Sequence, residues 1–299
     1  MDLQKLSGVV PPVVVPFTAT GELSEADFRS ELRFLFNTGI DGISSGGSTG
    51  EGALLSDAEL RRCLELIQEE NHKQLPVYAG IIRNATRDVI RAGREARALG
   101  ASALLVTPVF YHGATEAENF LFYKEICEKV QLPVIVYNVV ASNRISPALF
   151  KKLVEIDGLI GIKQVDPVGL AELSAANPGT YNVYAACDHL LYSSYVAGAN
   201  GAISALVTVA PDLCVRQWQA FQAGRQEEAM RIQRQLVPLV ASYFEVPFPE
   251  KIKTLLQLQG RAGGYPRKPM QLAGPVLKQR LKAALVAAGL GADISVSKL

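Results

Sequence analysis

The sequence contains few of the side chains from which metal and redox centres are built. Its 299 residues include three histidines and four cysteines, and no two cysteines form a C-x-x-C pair. Zinc and iron–sulfur sites gather several thiolates or imidazoles at short spacing, so we predict no metal site and no bound cofactor. Scattered thiols are typical of a reducing compartment, where disulfides are rare.

A strong charge of either sign is also missing, and so is a long hydrophobic run. Thirty Lys and Arg residues against 29 Asp and Glu residues give a formal net charge of +1, which provides no general attraction for nucleic acid or anionic membranes. The apolar stretch VVPPVVVPF, residues 9–17, contains prolines and is too short to cross a bilayer. We therefore predict a cytoplasmic protein that binds neither nucleic acid nor membrane, with a small molecule as its partner.

What the sequence does have is a repeated alternation of short apolar runs with amphipathic segments. Eight β-branched runs are typical of buried parallel strands, which are apolar on both faces; they lie at 13–17, 41–45, 76–81, 102–108, 133–139, 159–165, 181–187 and 201–206. Helical patterns fill the gaps, and one of them opens with Ser56 and Glu59, a capping box. The alternation predicts an α/β fold, a (β/α)₈ TIM barrel, with a doubly wound open sheet as the alternative.

The strand signal stops near residue 222. Three helical segments follow at 226–244, 250–260 and 275–290. We therefore predict two parts: a barrel over residues 1–222 and a C-terminal helical region over residues 223–299 that packs on the barrel.

The sixth run, LIGIKQVD at residues 159–166, contains a lysine near its end. Burial of an unpaired ammonium group is costly, so the Lys163 side chain must reach solvent, pair with an anion or lose its proton. Its apolar neighbours are expected to lower the pKa of the amine, and a neutral amine attacks a ketone to form a Schiff base. The pattern favours a covalent role for Lys163 over a structural one.

The segment GGSTGEG, residues 46–52, follows the second run, where a barrel builds its active site. Glycines let backbone amides turn toward a ligand, and Ser48 and Thr49 add hydroxyl donors, an arrangement that suits a carboxylate. The segment has no P-loop lysine, which argues against a nucleotide. We expect Glu51 to hold the loop together, because a second carboxylate repels an anionic substrate.

Tyr137 ends the fifth run, next to the run that carries Lys163. A tyrosine here is either an amphipathic core residue or a proton relay for chemistry at the imine. Its position beside Lys163 favours the relay.

Five segments together resemble the dihydrodipicolinate synthase/N-acetylneuraminate lyase family of pyruvate-dependent class I lyases and aldolases. They are GGSTGEG, TPVFY (107–111), YNV (137–139), GIK (161–163) and GANGAIS (198–204). The resemblance implies a barrel with a helical C-terminal region, commonly in a tetramer. It also implies that Lys163 forms the Schiff base and Tyr137 is the catalytic tyrosine. By the same resemblance, Ser48 and Thr49 hold the carboxylate of a 2-oxo acid, Ser48 joins a hydroxyl relay, and Ile203 lies beside the bound pyruvate portion.

Two departures concern residues of the synthases of this family. The synthases have TPYY where this chain has TPVFY, and the second tyrosine of TPYY reaches the site of a neighbouring subunit. An ungapped match places Phe110 at the second tyrosine of the synthases, and Tyr111 takes that catalytic role if the loop shifts by one residue. After YNV the synthases have Pro-Ser-Arg, whose arginine binds the carboxylate of the aldehyde partner. Here the sequence is VASNRIS, residues 140–146, and Arg144 does not align with that arginine.

A third departure lies in ACDHLL, residues 186–191. Sialic acid lyases have an acidic pair here that binds sugar hydroxyls. This chain keeps Asp188, which we expect to contact a substrate hydroxyl, and His189 follows it as either a packed or a functional residue.

Together these features predict a class I lyase or aldolase that acts on pyruvate or a 2-oxo-3-deoxy acid through a lysine imine. We expect a homo-oligomer, a tetramer or a dimer. The alternatives are 4-hydroxy-tetrahydrodipicolinate synthase proper, a dehydratase or deaminase of the same family, and a non-catalytic sensor of 2-oxo acids.

Overall fold

A computed structural model describes residues 6–291 and contains eight parallel strands within that range. The strands are β1 Gly8–Val10, β2 Ile43–Ser45, β3 Val77–Ile81, β4 Ala103–Val106, β5 Val134–Asn138, β6 Leu159–Gln164, β7 Asn182–Ala185 and β8 Gly201–Ile203. Each strand from β2 to β8 pairs with its neighbour in sequence, and β8 pairs with β1. A parallel bridge between Pro12 and Ser44 brings β1 and β2 together. The predicted (β/α)₈ TIM barrel is confirmed.

Helices follow the strands on the outside of the barrel. They are α1 Glu25–Phe36, α2 Asp57–Glu70, α3 Thr86–Ala98, α4 Glu116–Val130, α5 Pro147–Leu153, α6 Pro167–Ala175, α7 Leu191–Val196, α8 Ala205–Val209 and α9 Pro211–Gln222. The capping box that opens α2 is present, because Ser56 Oγ accepts a hydrogen bond from Glu59 N at 3.2 Å and a Glu59 carboxylate oxygen accepts one from Ser56 N at 2.9 Å.

The position predicted for the first strand, residues 13–17, is wrong. The strand lies at 8–10, and Val13–Val15 are buried outside it. Pro11 and Pro12 have no N–H to donate, so the ladder stops there. The following segment is buried partly by the C-terminal region, where the carbonyl of Val15 accepts a hydrogen bond from Lys253 at 2.7 Å.

Two layers of apolar side chains fill the fold. Inside the barrel lies a cluster that includes Val10, Tyr78, Ile135, Tyr184 and Ile203. A larger cluster lies between the strands and the surrounding helices. Both faces of each strand are therefore buried, which explains the continuous apolar runs in the sequence.

Three further helices follow the barrel: α10 Gln226–Tyr243, α11 Glu250–Leu258 and α12 Pro275–Ala287. The predicted boundary at 222/223 falls between α9 and α10. Gln233 of α10 donates a hydrogen bond to the carbonyl of His189 at 2.9 Å, so this region packs on the barrel mouth beyond β7. The predicted ends of the two parts, 1–5 and 292–299, lie outside the described residues. Within residues 6–291, no helix combines the length and apolarity needed to cross a membrane.

Candidate active site

Lys163 lies near the C-terminal end of β6, and its register partner on β5 is Tyr137. The lysine is 5% exposed, so its side chain does not extend into bulk solvent. Its Nζ atom lies 4.0 Å from the centroid of the Tyr137 ring. The structure thus brings the predicted nucleophile and the predicted relay residue into direct contact.

Tyr137 links this pair to the loop after β2. Its phenol donates a hydrogen bond to Ser48 Oγ at 3.0 Å. The Tyr137 ring thus contacts the amine of Lys163, and its hydroxyl begins a hydrogen-bonded chain with a second hydroxyl. Such a chain of hydroxyl groups can move a proton between a substrate and a second protein group.

The GGSTGEG loop that carries Ser48 is folded tightly on itself. Gly46 has a φ of +78°, and a Cβ built on Gly52 would lie 1.7 Å from the carbonyl oxygen of Gly46. Gly52 N donates a hydrogen bond to the Gly47 carbonyl at 2.9 Å. Glycine is required at positions 46 and 52, because a Cβ there would lie 2.5 Å from the Gly80 carbonyl oxygen and 1.7 Å from that of Gly46. The turn places Ser48 and the buried Thr49 at the barrel mouth.

Glu51 anchors the loop, as the sequence predicted, and its partners come from the C-terminal region. Its carboxylate forms an ion pair with Lys253 of α11 at 2.5 Å and accepts a hydrogen bond from Arg267 N at 2.8 Å. Lys253 is fully buried and also donates to the carbonyls of Val15 and Tyr265. Burial lowers the pKa of Lys253 to about 8. The GGSTGEG loop therefore depends on a buried ion pair between two parts of the chain.

Asp188 lies just after β7 and is 4% exposed. One of its carboxylate oxygens accepts a hydrogen bond from Ser204, and the other accepts one from the hydroxyl of Tyr243 at 2.7 Å. Burial raises the pKa of Asp188 above its ordinary value, although both hydrogen bonds oppose that shift.

Ser204 and Tyr243 were not predicted as site residues. Ser204 ends the GANGAIS segment, so a local signal existed for it. Tyr243 lies 55 residues from its partner in the sequence, and no motif marks it.

A cavity of about 380 Å³ opens at the C-terminal ends of the strands. Every predicted site residue except Tyr111 lines it: Ser48, Thr49, Tyr137, Lys163, Asp188 and Ile203. Apolar side chains from the end of α10 and the segment after it complete the wall, among them Phe244 and Phe248. Within residues 6–291, no cluster of three or more His, Cys, Asp or Glu side chains could hold a metal ion.

A larger cavity, about 1090 Å³, lies elsewhere. It is lined by Leu132 and Pro133, which precede β5, and by Asp157 and Gly158, which precede β6. It therefore opens at the opposite end of the barrel from Lys163. Catalytic groups of TIM barrels lie at the C-terminal ends of the strands, so the smaller cavity is the candidate active site.

The structure does not bring Tyr111 into the cavity of its own chain. Its side chain is 80% exposed, and its ring contacts that of His112. The amides of Phe110 and Tyr111 both donate to Asn84 Oδ1, at 2.9 and 3.1 Å. This pair of hydrogen bonds holds the loop with Phe110, and not Tyr111, facing inward toward a second chamber beside the cavity.

His189 and Arg144 do not line the cavity either. The ring of His189 packs against that of Phe244, with centroids 4.6 Å apart, which fits the packed alternative. Arg144 is exposed to solvent.

Comparison with known proteins gives a consistent result over the whole chain. A model of the Dihydrodipicolinate synthetase family matches residues 5–288. The 4-hydroxy-tetrahydrodipicolinate synthase of Methanopyrus kandleri is 30% identical over 292 residues, which cover 96% of this chain and 97% of that protein. The enzyme of the same name from Archaeoglobus fulgidus is 32% identical over 284 residues, with 93% and 96% covered.

Solved structures agree. The chloride-inhibited dihydrodipicolinate synthase from Acinetobacter baumannii, complexed with pyruvate, superposes with a TM-score of 0.90 at 26% identity, covering 95% of this chain and 99% of that one. YagE from E. coli K12, also in complex with pyruvate, gives a TM-score of 0.89 at 26% identity with the same coverage. This chain belongs to the dihydrodipicolinate synthetase family of Schiff-base, pyruvate-dependent lyases and aldolases, which confirms the predicted family and enzyme class.

Proposed function

We propose that the amine of Lys163 forms an imine with the keto carbon of pyruvate or of a 2-oxo-3-deoxy acid, and that the protein cleaves or forms the C3–C4 bond of that acid. The observation that carries this proposal is the contact of Lys163 with Tyr137, whose phenol is hydrogen-bonded to Ser48 within the same cavity. The pyruvate held by two solved relatives supports the choice of ligand.

The carboxylate of the 2-oxo acid binds at Ser48 and Thr49. Both residues line the cavity, and they follow Gly46 and Gly47 in a turn that has no bulky side chain. Hydroxyl and backbone N–H donors hold the anion without an arginine. This places the keto carbon toward Lys163 and fixes the plane in which the imine forms.

Tyr137 moves the protons. As Lys163 Nζ adds to C2, the phenol gives a proton to the departing oxygen, and water leaves to give the iminium. In cleavage, the C4 hydroxyl loses its proton to Tyr137, with Ser48 as the second member of the relay. The C3–C4 electron pair moves into the iminium to give an enamine. Protonation at C3 and hydrolysis then release pyruvate and restore the amine.

Asp188 and Ile203 complete the substrate contacts. The Ile203 side chain packs beside the carbon atoms of the pyruvate portion. Asp188 contacts a substrate hydroxyl, because each carboxylate oxygen retains a lone pair after accepting from Ser204 or Tyr243.

Borohydride reduction in the presence of pyruvate tests the proposal. We expect mass spectrometry to find a reduced pyruvate adduct on the peptide that carries Lys163. NMR in deuterated buffer should show exchange of the pyruvate methyl protons. Lys163→Arg should abolish both signals, whereas Lys129→Arg, an exposed residue of α4, should leave both intact. Methyl exchange that persists in Lys163→Arg would refute the assignment.

A second candidate is 4-hydroxy-tetrahydrodipicolinate synthesis, which the names of the relatives support. This reaction joins pyruvate to an aldehyde that carries a carboxylate. The exposed position of Arg144 argues against it, because that arginine is not available in the cavity. Formation of 4-hydroxy-tetrahydrodipicolinate at a rate above that of any other condensation would establish this candidate.

We further propose that the protein is a cytoplasmic homo-oligomer, a dimer or a tetramer, and that Tyr111 acts in the cavity of a neighbouring subunit. Its exposed ring is free to enter the cavity of a second copy. Mixing Tyr111→Phe with Lys163→Arg should then restore activity that neither variant has alone, because a mixed site combines an intact Lys163 with an intact Tyr111. Light scattering gives the subunit count, and a monomer with full activity would exclude the role for Tyr111.

A further inference from the structure

A second chamber of about 260 Å³ adjoins the Lys163 cavity, and the two share Ser48, Val139 and Phe248 as lining residues. The chamber lies on the side of the GGSTGEG loop and the β4 and β5 ends of the barrel mouth. A substrate attached to Lys163 therefore has room beyond its reacting carbons in this direction.

The side chains around the chamber are largely apolar. They include Ile82, Phe110, Val140, Phe248 and Met270. None of the described lining residues carries a positive charge. Glu51 is their ionisable member, and its carboxylate is already paired with Lys253 and bonded to Arg267 N. A second carboxylate on the substrate would meet another anion here and no cation.

Neutral hydroxyl groups would also find few partners. Thr107 lines the chamber, and its Oγ1 is buried and has no hydrogen-bond partner among the described residues, so it offers one polar contact. In the adjoining cavity, the hydroxyls of Ser204, Tyr243 and Tyr137 already donate to other side chains, and the remaining lone pairs of Asp188 accept from the one substrate hydroxyl assigned to it above. A chain of several hydroxyl groups would lose its hydrogen bonds to water on entry, which weakens binding for each group left unpaired.

From this lining we infer that the substrate group beyond C4 is apolar, so that the aldehyde released or accepted is an aromatic or aliphatic one without a carboxylate or a polyol chain. The inference rests on the proposed Schiff-base function and specifies its second substrate. The volume is adequate, because an apolar cavity of about 150 Å³ is known to hold benzene.

For an aromatic substrate the reaction is the cleavage of 4-hydroxy-2-oxo-4-phenylbutanoate to pyruvate and benzaldehyde. The C4 hydroxyl gives up its proton, the C3–C4 bond breaks, and its electron pair enters the Lys163 iminium. The enamine takes a proton at C3, and water releases pyruvate from the lysine. Since the water lost on imine formation is regained at hydrolysis, the cleavage is balanced and needs no oxidant or reductant.

The test compares three substrates on the wild-type protein by NMR detection of pyruvate. They are 4-hydroxy-2-oxo-4-phenylbutanoate, 4-hydroxy-2-oxoheptanedioate with its distal carboxylate, and a 2-oxo-3-deoxyhexonate with its distal polyol. We expect kcat/KM for the phenyl compound to exceed the other two values by roughly 100-fold. A polar compound cleaved as well as the phenyl compound would overturn the inference.

Methyl exchange of pyruvate separates the two possible failures. Exchange without cleavage of the phenyl compound would overturn the inference and leave the Schiff-base function standing. Absence of both exchange and a borohydride adduct would overturn the proposed function, and the inference with it.

Val140→Arg places a cation in the chamber and should shift preference toward the dicarboxylate. We expect the ratio of kcat/KM for the dicarboxylate to that for the phenyl compound to rise by roughly tenfold or more. A ratio within one variant is insensitive to the amount of folded enzyme. Met270→Arg places the cation at another lining position and should raise the same ratio. Val196 is 61% exposed on α7, and Val196→Arg is the matched control, in which we expect the ratio to stay unchanged. Unchanged ratios in both chamber variants would contradict the inference.

Discussion

The amine of Lys163 lies over the ring of Tyr137, 4.0 Å from its centroid, because the two residues are register partners on adjacent strands. Parallel pairing places their side chains on the same inner face of the barrel, near the mouth. The hydrogen bond from Tyr137 to Ser48 then extends this contact to the loop after β2.

Tyr137→Phe removes the hydroxyl that we propose as the proton relay and keeps the ring. We expect exchange of the pyruvate methyl protons to slow by roughly 10²- to 10⁴-fold, since a positioned general acid–base contributes about that much. The borohydride adduct on Lys163 should still form on long incubation. NMR exchange rates and mass spectrometry measure the two quantities.

Tyr181→Phe is the matched control for this change. Its hydroxyl donates to the Leu173 carbonyl at 2.8 Å, away from the cavity. Exchange should continue at the wild-type rate in this variant. Equal rates in Tyr137→Phe and wild type would show that the phenol moves no proton.

Asp188→Asn should change how stability depends on pH. Burial raises the pKa of Asp188, so the folded state binds more protons than the unfolded state at pH values above the ordinary 3.8. The wild type therefore loses stability relative to Asp188→Asn as the pH rises above about 4, the unfolded-state pKa. Urea unfolding across that range measures the difference between the two proteins.

Asp212 is an exposed residue of α9, and Asp212→Asn is the control for the effect on stability of losing one carboxyl group. A difference between wild type and Asp188→Asn that is constant with pH, or that moves the other way, would contradict the buried-carboxyl explanation.

Lys253→Met should destabilise the fold strongly. It leaves Glu51 buried without its ion-pair partner, a change that costs about 3–5 kcal/mol in other proteins. The double variant Glu51→Gln/Lys253→Met should recover part of that loss. Denaturant unfolding of the four proteins in the cycle gives the coupling energy. Lys151 is an exposed residue of α5, and Lys151→Met is the control for loss of a lysine. Additive effects of the Glu51 and Lys253 substitutions would argue against coupling between them.

Gly52→Ala should disrupt the GGSTGEG loop. The added Cβ would lie 1.7 Å from the Gly46 carbonyl oxygen, so the backbone must move. We expect a loss of roughly 2–4 kcal/mol in the free energy of unfolding. Gly47→Ala in the same loop places its Cβ 3.9 Å from the nearest atom and should be tolerated in stability. Thermal unfolding distinguishes the two, and equal losses would show that the close approach is not the cause.

The sequence predicted the barrel because buried parallel strands are apolar on both faces and recur at regular spacing. The same rule misplaced the first strand. Val13–Val15 are as apolar and as buried as a strand, but helix α11 covers part of this segment. An apolar run predicts burial and does not distinguish burial within the sheet from burial beneath a helix. The prolines at 11 and 12 were the available signal for the end of the ladder.

The site residues on strand ends and in the GGSTGEG loop were accessible to prediction, because each lies in a short local motif. Tyr243 and Lys253 were not accessible. Their partners are Asp188 and Glu51, which are distant in the sequence, and each contact depends on how α10 and α11 pack on the barrel. Tyr111 was a sequence candidate, and the hydrogen bonds of its loop to Asn84 explain why its ring faces outward.

The stretch between α10 and α11 supplies Phe244 and Phe248 to the walls of the recess beside Lys163. The proposed nucleophile therefore comes from strand β6, whereas part of the wall beside it comes from a short connector in the last quarter of the chain. A laboratory search for new carbon–carbon bond formation would begin with randomised codons at 244–248.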